Sequence, residues 1–404
     1  MTTSIPAIVL GMHSTGLRTA WCLADHGIEV YAPSFSPDEP GRLSRQIEVL
    51  PQFDLNYGDD RVVDWLLNFA RTLPDRPVVF PISDQHALAL SRNRNKLESV
   101  CRFSSTSFDT MKKIVQKDGL YRLARESDVP IPPSIVEPSI GELEDWCRAN
   151  KGPYFLKPYY EGIENSALKS KNQVIESREA LISFVKRHGA KAIVVQRMIS
   201  GGDGRIFDCY GYCDIKGEVV TMASHRRIRQ SPVNTGTTCY GEIPATGIGN
   251  REEQIFDLTL KLLSGLGYHG IFGIEWLLDR ETGDFYILDF NARPFLTINH
   301  LADCGLNLPY LAYRELLGED VSDTPLRPQL HHKTWMDLNR DFSSFSNPIR
   351  QTKSSRFQWI AEFLACRSHA FWRVRDPMPG LVQFHKFVTR AFRKAISIVA
   401  RRGG

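Results

Sequence analysis

Apolar and polar positions along this chain follow two successive rhythms. Ile5–Leu10 is a short, nearly continuous apolar run, as expected of a strand buried on both faces. Gly11–Gly16 turns the chain into a helical pattern over Leu17–His26, and Ile28–Ala32 is apolar again, which makes a β-α-β opening. A helical stretch at Asp60–Leu73, a strand at Pro77–Pro81 and a helix starting at Asp84 continue it. A different order begins near Ser107. One helix is predicted over Lys112–Ser127, stopped by the prolines of Val129–Pro133, then a strand at Tyr154–Pro158 and a polar loop at Tyr159–Lys171. Ala192–Met198 is the next strand, Phe207–Ile215 and Val219–Ser224 form a hairpin across Lys216 and Gly217, and Glu252–Leu266 is a helix.

The segment His269–Pro294 carries the clearest chemistry. It reads as two apolar strands joined by a polar turn, Asp279–Asp284. A hairpin centred near Thr282 sets Glu275 opposite Asp289, and like charges facing across a ladder destabilise it. A divalent cation between them would remove the conflict. Period-2 alternation puts Asn291 and Arg293 on the same face, with Gly273 opposite Asn291 leaving room for a ligand. Two carboxylates and an amide are all-oxygen donors suited to Mg²⁺, with Mn²⁺ accepted by the same set, and an arginine beside them points to phosphate. The hairpin therefore predicts a Mg-nucleotide site.

Composition narrows the class. A chain of 404 residues with 42% hydrophobic and 24% charged residues fits a soluble protein of two or three domains. A net charge of +4 gives no reason to expect nucleic acid, and no apolar run reaches the ~18 residues of a membrane span. The eight cysteines have no CxxC or metal spacing, and the N-terminus lacks a signal-peptide pattern, so a reducing cytoplasm is expected. Gly11–Gly16 lacks the central glycine of a dinucleotide fingerprint and reads as a tight strand-to-helix turn, whose helix N-terminus would attract an anionic group.

Taken in order, these motifs resemble the ATP-grasp superfamily of carboxylate–amine ligases, in its D-aspartate-ligase-like and carbamoyl-phosphate-synthetase-like branch, over roughly residues 5–320. The resemblance implies ATP as the nucleotide. It makes Lys117 the first nucleotide lysine and Lys157, in YFLKP, the second, near the phosphates. It makes Gln196, Arg197 and Met198, in QRMISG, a hinge whose backbone meets the adenine, with Asp203 just beyond. Glu275, Asp289 and Asn291 would hold Mg²⁺, and Arg293 would contact phosphate. Independently, Lys157 lies among Phe155, Leu156 and Pro158, where a cation wants an anion to meet it. The basic run His225–Arg229 follows a strand, and alternation sends Arg227 and Arg229 to one face with Arg226 on the other. Arg226 and Arg227 are both candidates to hold developing phosphoryl charge or substrate.

The expected architecture is α/β plus α+β. A Rossmann-like domain spans 1–106, a two-lobed ATP-grasp domain 107–323 (lobes 107–195 and 196–323), and a small, mostly helical module 324–404. The expected reaction joins a small carboxylate to an amine, both amino-acid-like, through an acyl phosphate. A kinase of the same fold and a non-catalytic nucleotide-binding scaffold are the alternatives, and similar ligases are often homodimers. From Phe384 onward no acid occurs, and the basic amphipathic stretch 384–402 is expected either to pack on the protein or to lie on an anionic membrane surface.

Overall fold

The computed structural model describes residues 5–58, 60–158, 173–199, 201–234, 236–347 and 356–402; the polar loop Tyr159–Lys171 and Ser200 lie outside them. The first sheet contains β1 (Ala7–Val9), β2 (Val30–Ser34), β3 (Glu48–Pro51) and β4 (Val78–Phe80), parallel and ordered β3-β2-β1-β4. Helix α1 (Ser14–Ala24) follows β1 after a turn that demands glycine: Gly11 has φ +124°, and a Cβ on Gly16 would lie 1.9 Å from the Gly11 carbonyl oxygen. One face of the sheet packs on α2 (Arg61–Ala70), α3 (Asp84–Arg92) and α4 (Arg94–Leu97). Ser83 caps α3 by accepting from the His86 N–H, which makes Asp84 the first helical residue.

The helix expected at Lys112–Ser127 is two: α5 (Phe108–Val115) and α6 (Lys117–Glu126), broken where Gln116 is extended. The break makes Lys117 the first residue of α6. A four-stranded antiparallel sheet follows, made of β5 (Ser134–Val136), β6 (Tyr154–Pro158), β7 (Gln173–Ile175) and β8 (Ile193–Arg197), ordered β5-β8-β6-β7. Helices α7 (Ile140–Ala149) and α8 (Arg178–His188) bury Leu143 and Leu181 against it, and Ser139 with Glu142 forms a capping box on α7.

The largest sheet has seven strands: β9 (Ile206–Cys213), β10 (Val219–Ser231), β11 (Thr237–Ile243), β12 (Gly270–Leu278), β13 (Phe285–Asn291), β14 (Lys333–Met336) and β15 (Ser368–His369). Their order is β13-β12-β9-β10-β11-β14-β15. Strand β10 runs seven residues beyond its expected end, straight through the arginine cluster. Helix α9 (Glu252–Leu263) packs beside α5 and α6 on one face, while α10 (Ile298–Asp303) and α11 (Leu308–Leu316) join α1 under the other. The segment beyond Asp323, expected to be mostly helical, supplies β14 and β15 and so extends this sheet, because β14 finds the free edge of β11. It then adds α12 (Leu338–Phe345), α13 (Arg356–Ala365) and α14 (Pro377–Arg402). No described helix is long and apolar enough to cross a membrane.

Candidate active site

Strands β12 and β13 pair in the register that faces Glu275 with Asp289 and Gly273 with Asn291. Two neighbouring ladders extend that row. Glu275 is also opposite Asp208 on β9, and Asp208 is opposite His225 on β10. Three carboxylates and an imidazole thus stand side by side across four strands, which like charge alone would oppose.

Cationic side chains already relieve part of this repulsion, alongside the divalent cation expected between Glu275 and Asp289. Lys117 forms an ion pair with Asp289. Arg227 donates Nε to Asp208 Oδ2 at 3.0 Å and Nη2 to Asp208 Oδ1 at 2.6 Å, with Nη2 also 2.6 Å from Glu275 Oε1. Asp208 Oδ2 further receives His225 Nδ1 at 2.7 Å and the Tyr210 hydroxyl at 3.2 Å. Burial works against the ionised form of Asp208, but the Arg227 guanidinium and the His225 hydrogen bond outweigh it and hold its carboxyl below the usual range. Burial likewise works against charged Lys117, yet Asp289 raises its ammonium above the ordinary value. Lys117 is therefore no solvated helix residue: its side chain is 12% exposed.

The basic run divides in an unexpected way. An irregularity in the β10–β11 ladder lies between Arg227 and Arg229, so that Arg227 pairs with Gly241 and Arg229 with the adjacent Tyr240. The extra residue sends Arg229 to the face opposite Arg227, contrary to simple alternation. There it grips Asp341 at 2.8 and 2.9 Å and lies over the Tyr240 ring. Arg226 is also directed away from the carboxylate row: it donates to the Gly204 and Thr246 carbonyls and to Glu242. Of the two arginine candidates, only Arg227 touches the row.

The other expected site residues are dispersed. Arg293 donates Nε to Asp84 Oδ1 at 2.7 Å, tying β13's exit to α3 near the Gly11–Gly16 turn. Lys157 lies at the end of β6 with its ammonium 5.1 Å from the Phe155 ring centre, and no carboxylate among the described residues is within ion-pair distance. Gln196 is buried and donates to the Tyr121 hydroxyl at 2.8 Å and to Ser134 Oγ at 3.2 Å. The N–H groups of Arg197 and Met198 already bond the Pro133 and Pro153 carbonyls at 2.9 Å, so an adenine would meet this stretch through other atoms. Asp203 accepts from Gln230 Nε2 and its N–H donates to Asn234 in a neighbouring turn. Gly273 does not leave the expected space: a Cβ there would lie 3.0 Å from the Phe295 ring, which stacks on Tyr210 at 3.7 Å.

No family model matches the chain. The arginine-specific large chain of carbamoyl phosphate synthase from Geobacillus stearothermophilus is 23% identical over 221 residues, 54% of this chain and 20% of that protein. The C-terminal section of the carbamoyl phosphate synthase large chain from Methanopyrus kandleri is 20% identical over 223 residues, 55% of this chain and 41% of its own length. The chain thus spans less than half the length of these curated relatives. Among solved structures, N5-carboxyaminoimidazole synthetase from Staphylococcus aureus aligns over 87% of this chain and 88% of its own, with TM-score 0.65 and 13% identity. The L-amino acid ligase of Bacillus licheniformis aligns over 83% and 80%, with TM-score 0.61 and 15% identity. The biotin carboxylase domain of Hydrogenobacter thermophilus 2-oxoglutarate carboxylase, solved with MgADP and bicarbonate, aligns over 82% and 74%, with TM-score 0.62 and 14% identity. The chain has the ATP-grasp fold.

Among the described residues no three His, Cys, Asp or Glu side chains converge to hold an ion by themselves. Glu275 and Asp289 are nevertheless reachable, at 20% and 34% side-chain exposure, whereas Asp208 is sealed. Asn291 donates its amide N–H to the Gly273 carbonyl and to Glu275 Oε1 at 3.3 Å, which leaves its carbonyl oxygen as the ligating atom. Three carboxylates face two full cations, Lys117 and Arg227, so the cluster retains negative charge. Two carboxylates and an amide oxygen, completed by phosphate or water, fit a hard divalent cation. Asp208, Tyr210 and Thr297, whose hydroxyl lies 2.7 Å from that of Tyr210, had no part in the expected site, and His225 entered it only as the first residue of the basic run. The one signal for them was an isolated acid inside the apolar run of β9.

Proposed function

We propose that this chain is an ATP-dependent ligase that joins a small carboxylate to an amine, both amino-acid-like, through an acyl phosphate. The observation that carries this reading is the carboxylate row of β9, β12 and β13 with Lys117 and Arg227 interleaved: it offers fixed anions and fixed cations at one place, as a metal-bound polyphosphate requires. A substrate carboxylate oxygen attacks the γ-phosphorus of ATP and ADP departs. The amine nitrogen then attacks the acyl carbon, phosphate departs, and the nitrogen releases its proton to solvent.

The chain's own residues divide the labour as follows. Lys117 and Lys157 offer ammonium groups to the phosphates. Arg227, locked by Asp208, presents a guanidinium that needs no reorganisation as charge builds on the transferring group. Glu275, Asp289 and Asn291 would hold Mg²⁺, which supplies positive charge against the phosphates when bound. Arg293, anchored to Asp84 beside the Gly11–Gly16 turn, is the candidate to orient the acid, because the N-terminus of α1 favours an anion there. No general base is needed for the first step, since a carboxylate is already ionised at neutral pH.

The test supplies Mg-ATP with pools of ¹⁸O-carboxylate acids and amines and follows ADP and phosphate. Ligation predicts ADP formation that needs both pools, with one ¹⁸O passing from acid to phosphate. A stable phosphorylated product formed without amine would establish a kinase instead, and nucleotide binding with no turnover in any pool would establish a scaffold.

A further inference from the structure

The net positive charge of this chain lies at one end. Residues 367–404 hold nine of the 50 Lys and Arg and one of the 46 Asp and Glu, so they carry +8 while residues 1–366 carry −4. That one acid, Asp376, is fully buried and accepts from the Trp21 indole and the Arg45 N–H, so it offers nothing to a partner. Helix α14 contains no acid at all.

The same helix exposes apolar side chains at helical spacing. Leu381, Phe384 and Val388 are 46%, 48% and 46% exposed and lie at i, i+3 and i+7, hence on one stripe. Trp372, 49% exposed, packs on Gly380 and prolongs the stripe at its start, and Val374 beside it is 91% exposed. Lys386 and Arg390 are exposed on the flank, while Phe387 turns inward to meet Phe342 edge-on at 5.0 Å. The inner face of α14 is thus already docked on α12, and a second, apolar face is left open.

We infer that α14 is a membrane-surface anchor, with the stripe Trp372–Val388 entering the headgroup–acyl boundary of an anionic phospholipid bilayer and the basic flank meeting lipid phosphates. A nucleic acid would satisfy the cations but leave Phe384 and Val388 in water, and an apolar protein groove would cover the stripe but leave the cations uncompensated. An anionic bilayer answers both at once. Nothing in this assignment depends on the ligase reading, because no residue of the carboxylate row takes part.

The test is flotation of the full chain with vesicles of phosphatidylglycerol and phosphatidylcholine, against vesicles of phosphatidylcholine alone. The expected result is binding to the anionic vesicles only, weakening with salt. Phe384→Asp combined with Val388→Asp should lower partitioning at least about tenfold, and Lys386→Gln about fivefold; thermal unfolding checks that the variants remain folded. Three results would overturn the inference: no binding by the folded wild type, binding unchanged by the double substitution, or a dimer broken by that substitution with no vesicle binding.

Discussion

Asp289 and Arg227 differ in how they meet the same row of charge, and their substitutions should differ accordingly. Asp289 is partly exposed but is the partner of the largely buried Lys117, so Asp289→Asn should lower the unfolding midpoint without unfolding the chain, while ADP formation falls by at least about 10²-fold, as the removal of one electrostatic contact typically costs. Arg227 is buried, and Asp208→Asn leaves its guanidinium without its bidentate partner. That variant should lose stability in denaturant titration, by less than the roughly 3–5 kcal/mol of a wholly uncompensated buried charge, because Glu275 still pairs with Arg227. Arg226→Ala should retain turnover, since its guanidinium ties surface loops rather than the row. At this scale the pairing of Glu275 with Asp289 and of Gly273 with Asn291 was legible from a hairpin whose turn fixes its own register. Asp208 was not, because its place beside Glu275 is set by a long-range ladder between β9 and β12 that no local pattern encodes.

Between residue and molecule, two local breaks in regular structure aim the side chains. The first is Gln116, which divides α5 from α6 and makes Lys117 a helix N-terminal residue. The fold at that break depends on Gly119, where a Cβ would lie 2.5 Å from the backbone oxygen of Lys113. Gly119→Ala should push α6 off α5, cost about 1–3 kcal/mol by overpacking and weaken nucleotide binding through displacement of Lys117; calorimetry of unfolding and of nucleotide titration reads both. The second is the irregularity at Ile228, which sends Arg227 and Arg229 to opposite faces. Helical periodicity runs through 112–127 without interruption, and the β period runs through 225–229. Sequence pattern therefore located the elements but not the breaks, which tertiary contacts impose.

The whole molecule encloses two imidazoles near Tyr57 beside the first sheet, His86 buried and His13 half-buried. Burial, aided by the nearby charge of Arg293, pushes His13 and His86 down to about 3. Neither takes up a proton between pH 6.5 and that value while the unfolded chain does, so stability rises with pH across this window and is lost as pH falls through it. Each contributes about 1.4 kcal/mol per pH unit. Thermal unfolding at pH 5 and pH 7 should show the higher midpoint at pH 7, and His86→Phe should shrink the difference; equal midpoints would contradict the burial of neutral imidazoles. Periodicity and glycine spacing made β1, β2 and β4 of the first sheet legible at this scale, whereas the short edge strand β3 was not. The union of the C-terminal segment with the large sheet was not, since β14 and β15 are short and surrounded by helical pattern. Calorimetric titration of a non-hydrolysable ATP analogue with Mg²⁺ into the wild type and Asp289→Asn decides whether the carboxylate row holds a metal-dependent nucleotide site. Metal-dependent binding to the wild type, weakened at least about tenfold by the substitution, is the predicted result. Equal affinity for the two proteins, or none for the folded wild type, would contradict it.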